Sequence, residues 1–156
     1  MKEIKLTQGK IALVDDEDFD RLNQFKWCTL KNGNVFYATR NIRINKKQIT
    51  IYMQWDILNG KYIDHIDNNG LNNQRINLRF CTNSQNQMNK RKRKNTSSIY
   101  KGVYFNKRDK KWMSYINIKH KFIFIGYFNL ESDAAKSYNQ KAIELFGEFA
   151  RVNIIN

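Results

Sequence analysis

The stretch YIDHIDNNGLNNQRINLRF, residues 62–80, decides how this chain is read. It holds His65, one of two histidines, with Asp64 before it and Asp67 two places on. Asparagines follow at 68, 69, 72, 73 and 77. KYIDH reads as a strand running into an NNGLNN turn, and INLRF as a second strand. TNSQNQMNKRK then opens on Thr82, a good N-cap, and contains no breaker, so a helix follows. Strand, turn, strand and helix in this order would bring Asp64, His65 and a residue of that helix together. Such a group has a chemistry to offer, although an Asp-His pair beside a turn is by itself a weak signal. A hard divalent ion takes oxygen ligands, and hydrolysis of a phosphodiester needs a water activated by a base. Asp64 offers a carboxylate, His65 a base, and Asn86 an amide oxygen, with water and phosphate filling the rest of a Mg²⁺ shell. Neighbours on a regular strand face opposite ways, so Asp64 and His65 address one phosphate only if the strand breaks beside the turn. From residue types alone a second reading stands beside this one: a hydrogen-bonded loop whose asparagines satisfy turn backbone.

Outward from the centre, the N-terminal side is β-rich. KIALV, VFYATRNIRI and QITIYMQW are strand-like runs separated by turn signals such as KNGN. DEDFDRLNQF between them suits a short helix with acids in its first turn. On the C-terminal side, YKGVYFN, KWMSYINI and KFIFIGYF have hairpin spacing. ESDAAKSYNQKAIELFG follows as an amphipathic helix, with Ala134, Ala135, Tyr138, Ala142 and Leu145 on one stripe and Gly147 past its end. One helix covers one face of a three-stranded sheet and leaves the other open. Alternation assigns Trp112, Ser114, Ile116 and Ile118 to the covered face and Met113, Tyr115 and Asn117 to the open one.

Charge points to the partner. The 156 residues carry 28 Lys and Arg against 14 Asp and Glu, net +14, with a pI near 9.8. Residues 1–60 hold 10 basic and 7 acidic residues, so +11 of the +14 lies beyond them, and KRKRK at 90–94 is its densest run. Such an excess favours nucleic acid first and an anionic membrane surface second. The opening MKEIKLTQGK has no apolar core of signal-peptide type and no run reaches transmembrane length, so the expectation is a soluble intracellular protein. Two lone cysteines, Cys28 and Cys81, exclude a thiolate zinc site and make a disulfide framework improbable.

DHIDNNGLNNQRINLRFCTNSQNQMN resembles the HNH motif of phage and intron-type homing endonucleases, whose pattern falls here on Asp64, His65, Asn77, Leu78, Arg79 and Asn86. LTQGKIALVDDEDFD, FKW and FYATR resemble the N-terminal region of those nucleases. Residues 100–153 resemble the APETALA-type (ethylene-response-factor) DNA-binding domain, which accompanies HNH domains in mobile elements. The resemblance implies an α+β fold: an HNH nuclease domain at 1–89 with a ββα-metal core at about 61–89, a basic linker at 90–96, and a DNA-binding domain at 97–156.

The same resemblance implies roles. Asp64 and Asn86 match metal ligands, His65 the general base, and Asn77 the asparagine that braces the hairpin. The cofactor is a divalent metal, Mg²⁺ foremost and Mn²⁺ possible, with no zinc. The partner is double-stranded DNA, with no membrane and no small-molecule cofactor, and a monomer is favoured. Arg75, Arg79, Lys90, Arg91, Lys92, Arg93 and Lys94 are expected on phosphates. Lys101, Tyr104, Asn106, Tyr115, Asn117, Phe122 and Phe124 match the sheet face that meets the major groove. The products would carry 5′-phosphate and 3′-hydroxyl ends, in the cytoplasm of a bacterial or phage-infected cell. Two departures stand out. Gln54 and Trp55 occupy positions where relatives commonly have His and Arg, and the sheet face offers Tyr, Asn and Phe where plant domains place arginines. The alternative is a sequence-specific DNA-binding regulator with a weak or inactive HNH hairpin, and behind it an RNA-binding module.

Overall fold

In the computed structural model, which describes residues 1–92, 95–118 and 121–155, the chain divides into two compact units, Met1–Thr82 and Asn83–Asn156. Both mix helices with small antiparallel sheets.

The N-terminal unit opens with a strand the sequence had not suggested. β1 (Lys2–Lys5) pairs antiparallel with β2 (Ile11–Val14), Lys2 opposite Val14. Helix α1 (Asp16–Asn23) follows, with Asp16, Glu17 and Asp18 in its first turn, where carboxylates complement the helix dipole. β3 (Cys28–Asn32), β4 (Val35–Ile44) and β5 (Lys47–Tyr52) form a meander in that order. Gly33 at φ +59° turns the first hairpin, and Asn45 and Lys46, both at positive φ, turn the second. The run QITIYMQW was expected to be strand throughout. It changes at Met53 into helix α2 (Met53–Leu58). Met53 and Ile57, one helical turn apart, are the buried apolar pair, and Asn59 in the left-handed region ends the helix. β6 (Ile63–His65) and β7 (Leu78–Phe80) then form a short ladder that pairs Asp64 with Arg79 and His65 with Leu78. INLRF is therefore strand only from Leu78; a 3₁₀ turn occupies Arg75–Asn77. Trp27 is the largest fully buried side chain of this core and donates its indole N–H to the Leu22 carbonyl at 2.8 Å.

The C-terminal unit begins with helix α3 (Asn83–Asn89), whose Met88 packs against this unit's core. β8 (Val103–Asn106), β9 (Lys111–Ile118) and β10 (Lys121–Phe128) form an antiparallel sheet with β9 central. Helix α4 (Glu131–Phe146) buries Ala134, Ala135, Tyr138, Ala142 and Phe146, in clusters that include Val103 and Ile116. The first four buried residues fall on the expected stripe, whereas Leu145 is only partly buried. Gly147, at φ +53°, terminates the helix. A bulge between Phe124 and Gly126 shifts the register of β10. Because side chains alternate along a strand, that extra residue puts Tyr127 on the same face as Phe124. Met113, assigned to the open face by alternation, is buried there between its ladder partners Tyr104 and Tyr127.

Candidate active site

The loop joining β6 to β7 is held by amide and carboxylate side chains. Asn77, buried in the 3₁₀ turn, accepts from the Asp67 backbone N–H at 3.0 Å. Its Nδ2 donates to Asp67 Oδ1 at 3.0 Å and to the Asn72 carbonyl at 2.8 Å. Asp67 in turn accepts from the Asn69 backbone N–H at 2.7 Å and from Asn72 Nδ2 at 2.9 Å. Burial pushes the Asp67 carboxyl up, but these hydrogen bonds outweigh it and hold the group below the usual value. Gly70 lets the loop lie against β4: a Cβ there would stand 2.5 Å from the Phe36 carbonyl oxygen and 2.6 Å from the Tyr37 ring.

Asp64 and His65 are both buried, at 5% exposure each. Asp64 is braced across the ladder by Arg79, whose Nη2 and Nε approach Oδ2 at 2.8 and 3.1 Å. His65 Nε2 lies 3.1 Å from Asn73 Oδ1, and the Tyr37 ring meets the imidazole edge-on at a centroid separation of 5.9 Å. Burial lowers the His65 pKa, and Asn73, Asp67 and Asp64 offset only part of that effect. Burial thus favours the neutral imidazole, the form a proton acceptor needs.

The acidic run in α1 serves the hairpin. Asp15 accepts from the Arg75 backbone N–H at 2.7 Å and from Gln74 Nε2 at 3.3 Å. Asp18, almost wholly buried, receives Arg75 through Nε at 2.8 Å and Nη2 at 2.9 Å, and Arg21 at 2.8 Å. Arg75, expected on DNA, has its guanidinium on two acids of α1, since Glu17 also pairs with it at 2.7 Å. Arg79, likewise expected on DNA, is bound to Asp64.

Asn86 lies on α3, in the C-terminal unit. Among the described residues no three of His, Cys, Asp and Glu gather into a metal-holding group, and both cysteines are free thiols. A carboxylate and an amide are the donor types a hard cation accepts, and a site with so few protein oxygens draws the others from water and phosphate.

Residues 48–88 match the HNH endonuclease family. An uncharacterised HNH endonuclease of Acanthamoeba polyphaga mimivirus is 35% identical over 152 residues, covering 96% of this chain and 78% of the viral protein. The chain belongs to the HNH endonuclease family. Protein 3.8 of Escherichia phage T7 is 32% identical over 102 residues, 62% of this chain and 84% of the phage protein. No solved structure matches significantly. The HNH match begins in β5 and takes in α2, the His65 hairpin and α3. Within it Gln54 is buried, and its Oε1 has no hydrogen-bond partner.

Outside the HNH match, the remaining expected contacts lie in the C-terminal unit, where residues 83–156 hold 15 basic and 5 acidic residues. Lys90, Arg91, Lys92, Lys101, Tyr115 and Asn117 border a groove of about 1140 Å³. Lys101 Nζ donates to the Met88 carbonyl at 2.5 Å, and burial, with the charge of Arg151, pushes its pKa down to about 8. Arg93 and Lys94 lie outside the described residues, as does His120, to which the sequence assigned no role. On the open sheet face Tyr115 stacks on Phe122 at 5.2 Å and meets Tyr104 at 5.9 Å. Phe124 packs on Tyr127, also at 5.2 Å. Asn106 caps its turn, accepting from the Arg108 backbone N–H at 3.0 Å and donating to Asp109 at 2.8 Å. Two residues of these sites had escaped the sequence reading: Asn73, which touches His65, and Tyr127, brought into the aromatic face by the bulge. Among the described residues no helix is long and apolar enough to cross a membrane.

Proposed function

We propose that this protein is a metal-dependent, homing-type DNA endonuclease that hydrolyses a phosphodiester at a site chosen by its C-terminal unit. One observation carries the reading: a buried His65 beside the buried Asp64 carboxylate in the hairpin of an HNH-family chain. His65 is the general base that takes a proton from the attacking water, and Asn77 keeps its loop in shape. Asp64 and Asn86 would hold Mg²⁺ or Mn²⁺, which when bound supplies positive charge at the scissile phosphate. The nuclease domain is 1–89 with a ββα-metal core, the linker 90–96, and the DNA-binding domain 97–156 of APETALA type. In that last domain Lys101, Tyr104, Asn106, Tyr115, Asn117, Phe122 and Phe124 face duplex DNA, and Lys90–Lys94 neutralise phosphates. Arg75 and Arg79 serve the hairpin first and add to the field around the phosphate second. The cytoplasm of a bacterial or phage-infected cell is the proposed location, in keeping with the phage relative.

The test is nicking of supercoiled plasmid with Mg²⁺, run beside a gel shift and a thermal melt. His65→Ala should lower cleavage by about 10²–10⁴-fold, the loss typical of a general base, while DNA affinity stays near wild type. Normal cleavage by a folded His65→Ala protein would end the assignment. A second reading, a DNA-binding regulator with an inactive HNH hairpin, draws support from Gln54, buried where relatives commonly have His. It predicts retained DNA binding with no Mg²⁺- or Mn²⁺-dependent nicking by the wild type.

A further inference from the structure

Five aromatic rings share the open face of the C-terminal sheet: Tyr104 on β8, Tyr115 on β9, and Phe122, Phe124 and Tyr127 on β10. Phe122 and Phe124 are 56% and 50% exposed, and Tyr104 and Tyr127 are exposed as well. The rings form two pairs, Tyr115 on Phe122 with planes 21° apart and Phe124 on Tyr127 at 58°. The bulge in β10 completes the second pair by turning Tyr127 onto this face. A contiguous set of exposed rings marks a binding surface. The charge around it has one sign. Residues 97–130 hold seven Lys and Arg against one acid, Asp109, while the unit's other four acids lie at 131–148, on and after α4. A second copy of this face would oppose like charges, so self-pairing is disfavoured and a polyanion is the complementary partner.

Chemistry and spacing decide which form of polyanion fits. Paired bases show their edges in the major groove, where donors and acceptors read them and an apolar ring finds only the thymine methyl. Beside the tyrosine hydroxyls this face offers Asn117, and Asn106, whose amide is already engaged in its own turn and with Tyr127 Oη. The flat face of a base is covered by its neighbours inside a duplex. In an unpaired strand it is open, and aromatic side chains stack on it. Phe122 and Phe124 are two residues apart on one strand, about 7 Å. That is twice the rise of roughly 3.4 Å per nucleotide in a duplex strand, so bases meeting both rings are drawn apart. We propose that the open sheet face binds single-stranded DNA, stacking successive unpaired bases on the Tyr115–Phe122 and Phe124–Tyr127 pairs. Lys111, on the same face by alternation, and the exposed Lys107 and Lys110 of the β8–β9 turn follow the phosphates. The inference deepens the proposed function by naming the form of DNA this face takes, an opened stretch of the substrate, and it rests on DNA being the partner.

The deciding measurement is fluorescence anisotropy of labelled oligonucleotides with the full-length protein in EDTA, which prevents metal-dependent cleavage. A mixed-sequence single strand is compared with the duplex of the same sequence. The single strand should bind on the order of 10-fold tighter. Phe122→Leu and Phe124→Leu each remove a ring and keep apolar bulk. Each should weaken single-strand binding roughly 5–150-fold, the range of one lost base stack, with duplex binding unchanged. The salt slope should also stay as it was, because stacking releases no counterions. Phe122→Tyr, which retains a ring, should bind as the wild type does. A thermal melt accompanies each variant, and the two leucine variants sit in different pairs, so one that fails to fold leaves the other to decide. Duplex bound more tightly than single strand would overturn the inference and leave the nuclease reading standing. Leucine variants with wild-type single-strand affinity would overturn it too, as would tighter binding of RNA of the same sequence or a DNA-free dimer that Phe122→Leu dissolves. A protein that binds neither form of DNA would remove both readings. Single-strand preference in a protein that never nicks supports this inference and removes the catalytic one.

Discussion

Replacing Arg75 by alanine separates two meanings of one positive charge. Its side chain makes two charge-assisted hydrogen bonds to Asp18, at 2.8 and 2.9 Å. At the low end of about 1.5 kcal/mol each, these amount to about 3 kcal/mol. The guanidinium is 43% exposed, and Arg21 remains on Asp18 Oδ1, so solvent screening and the surviving partner reduce the figure to about 2 kcal/mol. The pair with exposed Glu17 adds nothing to this sum. The Arg75 backbone N–H still reaches Asp15, so the substitution isolates the side chain. For a unit of this size the loss corresponds to roughly 8–16 °C in melting temperature. Trp27 and Trp55 lie in the N-terminal unit and Trp112 in the other, so a Trp112→Phe background lets fluorescence report the first unit alone. A phosphate contact would instead appear in the salt dependence of DNA binding, whose log–log slope would shrink by about 0.9. The expected result is a lower melting temperature with an unchanged slope. An unchanged melt with a slope reduced by about one would refute the bracing role and return Arg75 to the DNA.

Three further outcomes follow from the same contacts. Gly70→Ala should cost about 1–3 kcal/mol, because its Cβ would press on the Phe36 carbonyl and the Tyr37 ring; a urea midpoint equal to wild type would contradict the close approach. Burial raises the Asp18 carboxyl, but Arg75 and Arg21 overcome it and set the folded pKa below 3.8. The stabilisation from Asp18 is therefore complete above pH 3.8 and is lost as pH falls through the lower folded value; Asp18→Asn should flatten this acid limb in pH-dependent melts. If DNA binding neutralises about 6 to 8 phosphates, log K against log salt should slope near −5 to −7, and a slope near zero would point away from nucleic acid.

Local pattern and distant partners account for what the sequence did and did not disclose. The stripe on α4 was legible because four of its apolar positions recur at helical spacing, and Gly147 marked its end. The three C-terminal strands were legible from alternation and turn spacing. Alternation failed where the ladder itself is irregular: the bulge in β10 moves Tyr127 into the aromatic face, and no residue type near it announces this. Helix α2 was hidden inside a β-branched run, because Ile49, Thr50 and Ile51 favour strand up to the residue where burial of Met53 and Ile57 demands a helical turn.

At the candidate site, residue chemistry singled out Asp64 and His65 beside a recognisable hairpin, and the resemblance to HNH endonucleases added Asn77. Asn73 carried no such signal. Among five asparagines in the stretch it differs by a backbone contact to Leu13, some sixty positions earlier, which no local pattern contains. The acids of α1 illustrate the same physics from the other side. Read alone they are a helix first turn; in the fold they neutralise Arg75 and hold its backbone. A charge count tallies arginines as available cations, whereas a buried carboxylate within hydrogen-bond reach makes a guanidinium part of the scaffold. Net charge thus argues for a polyanionic partner of the whole chain, yet the cations that meet it have to be sought where carboxylates are scarce. In this protein that is the C-terminal unit.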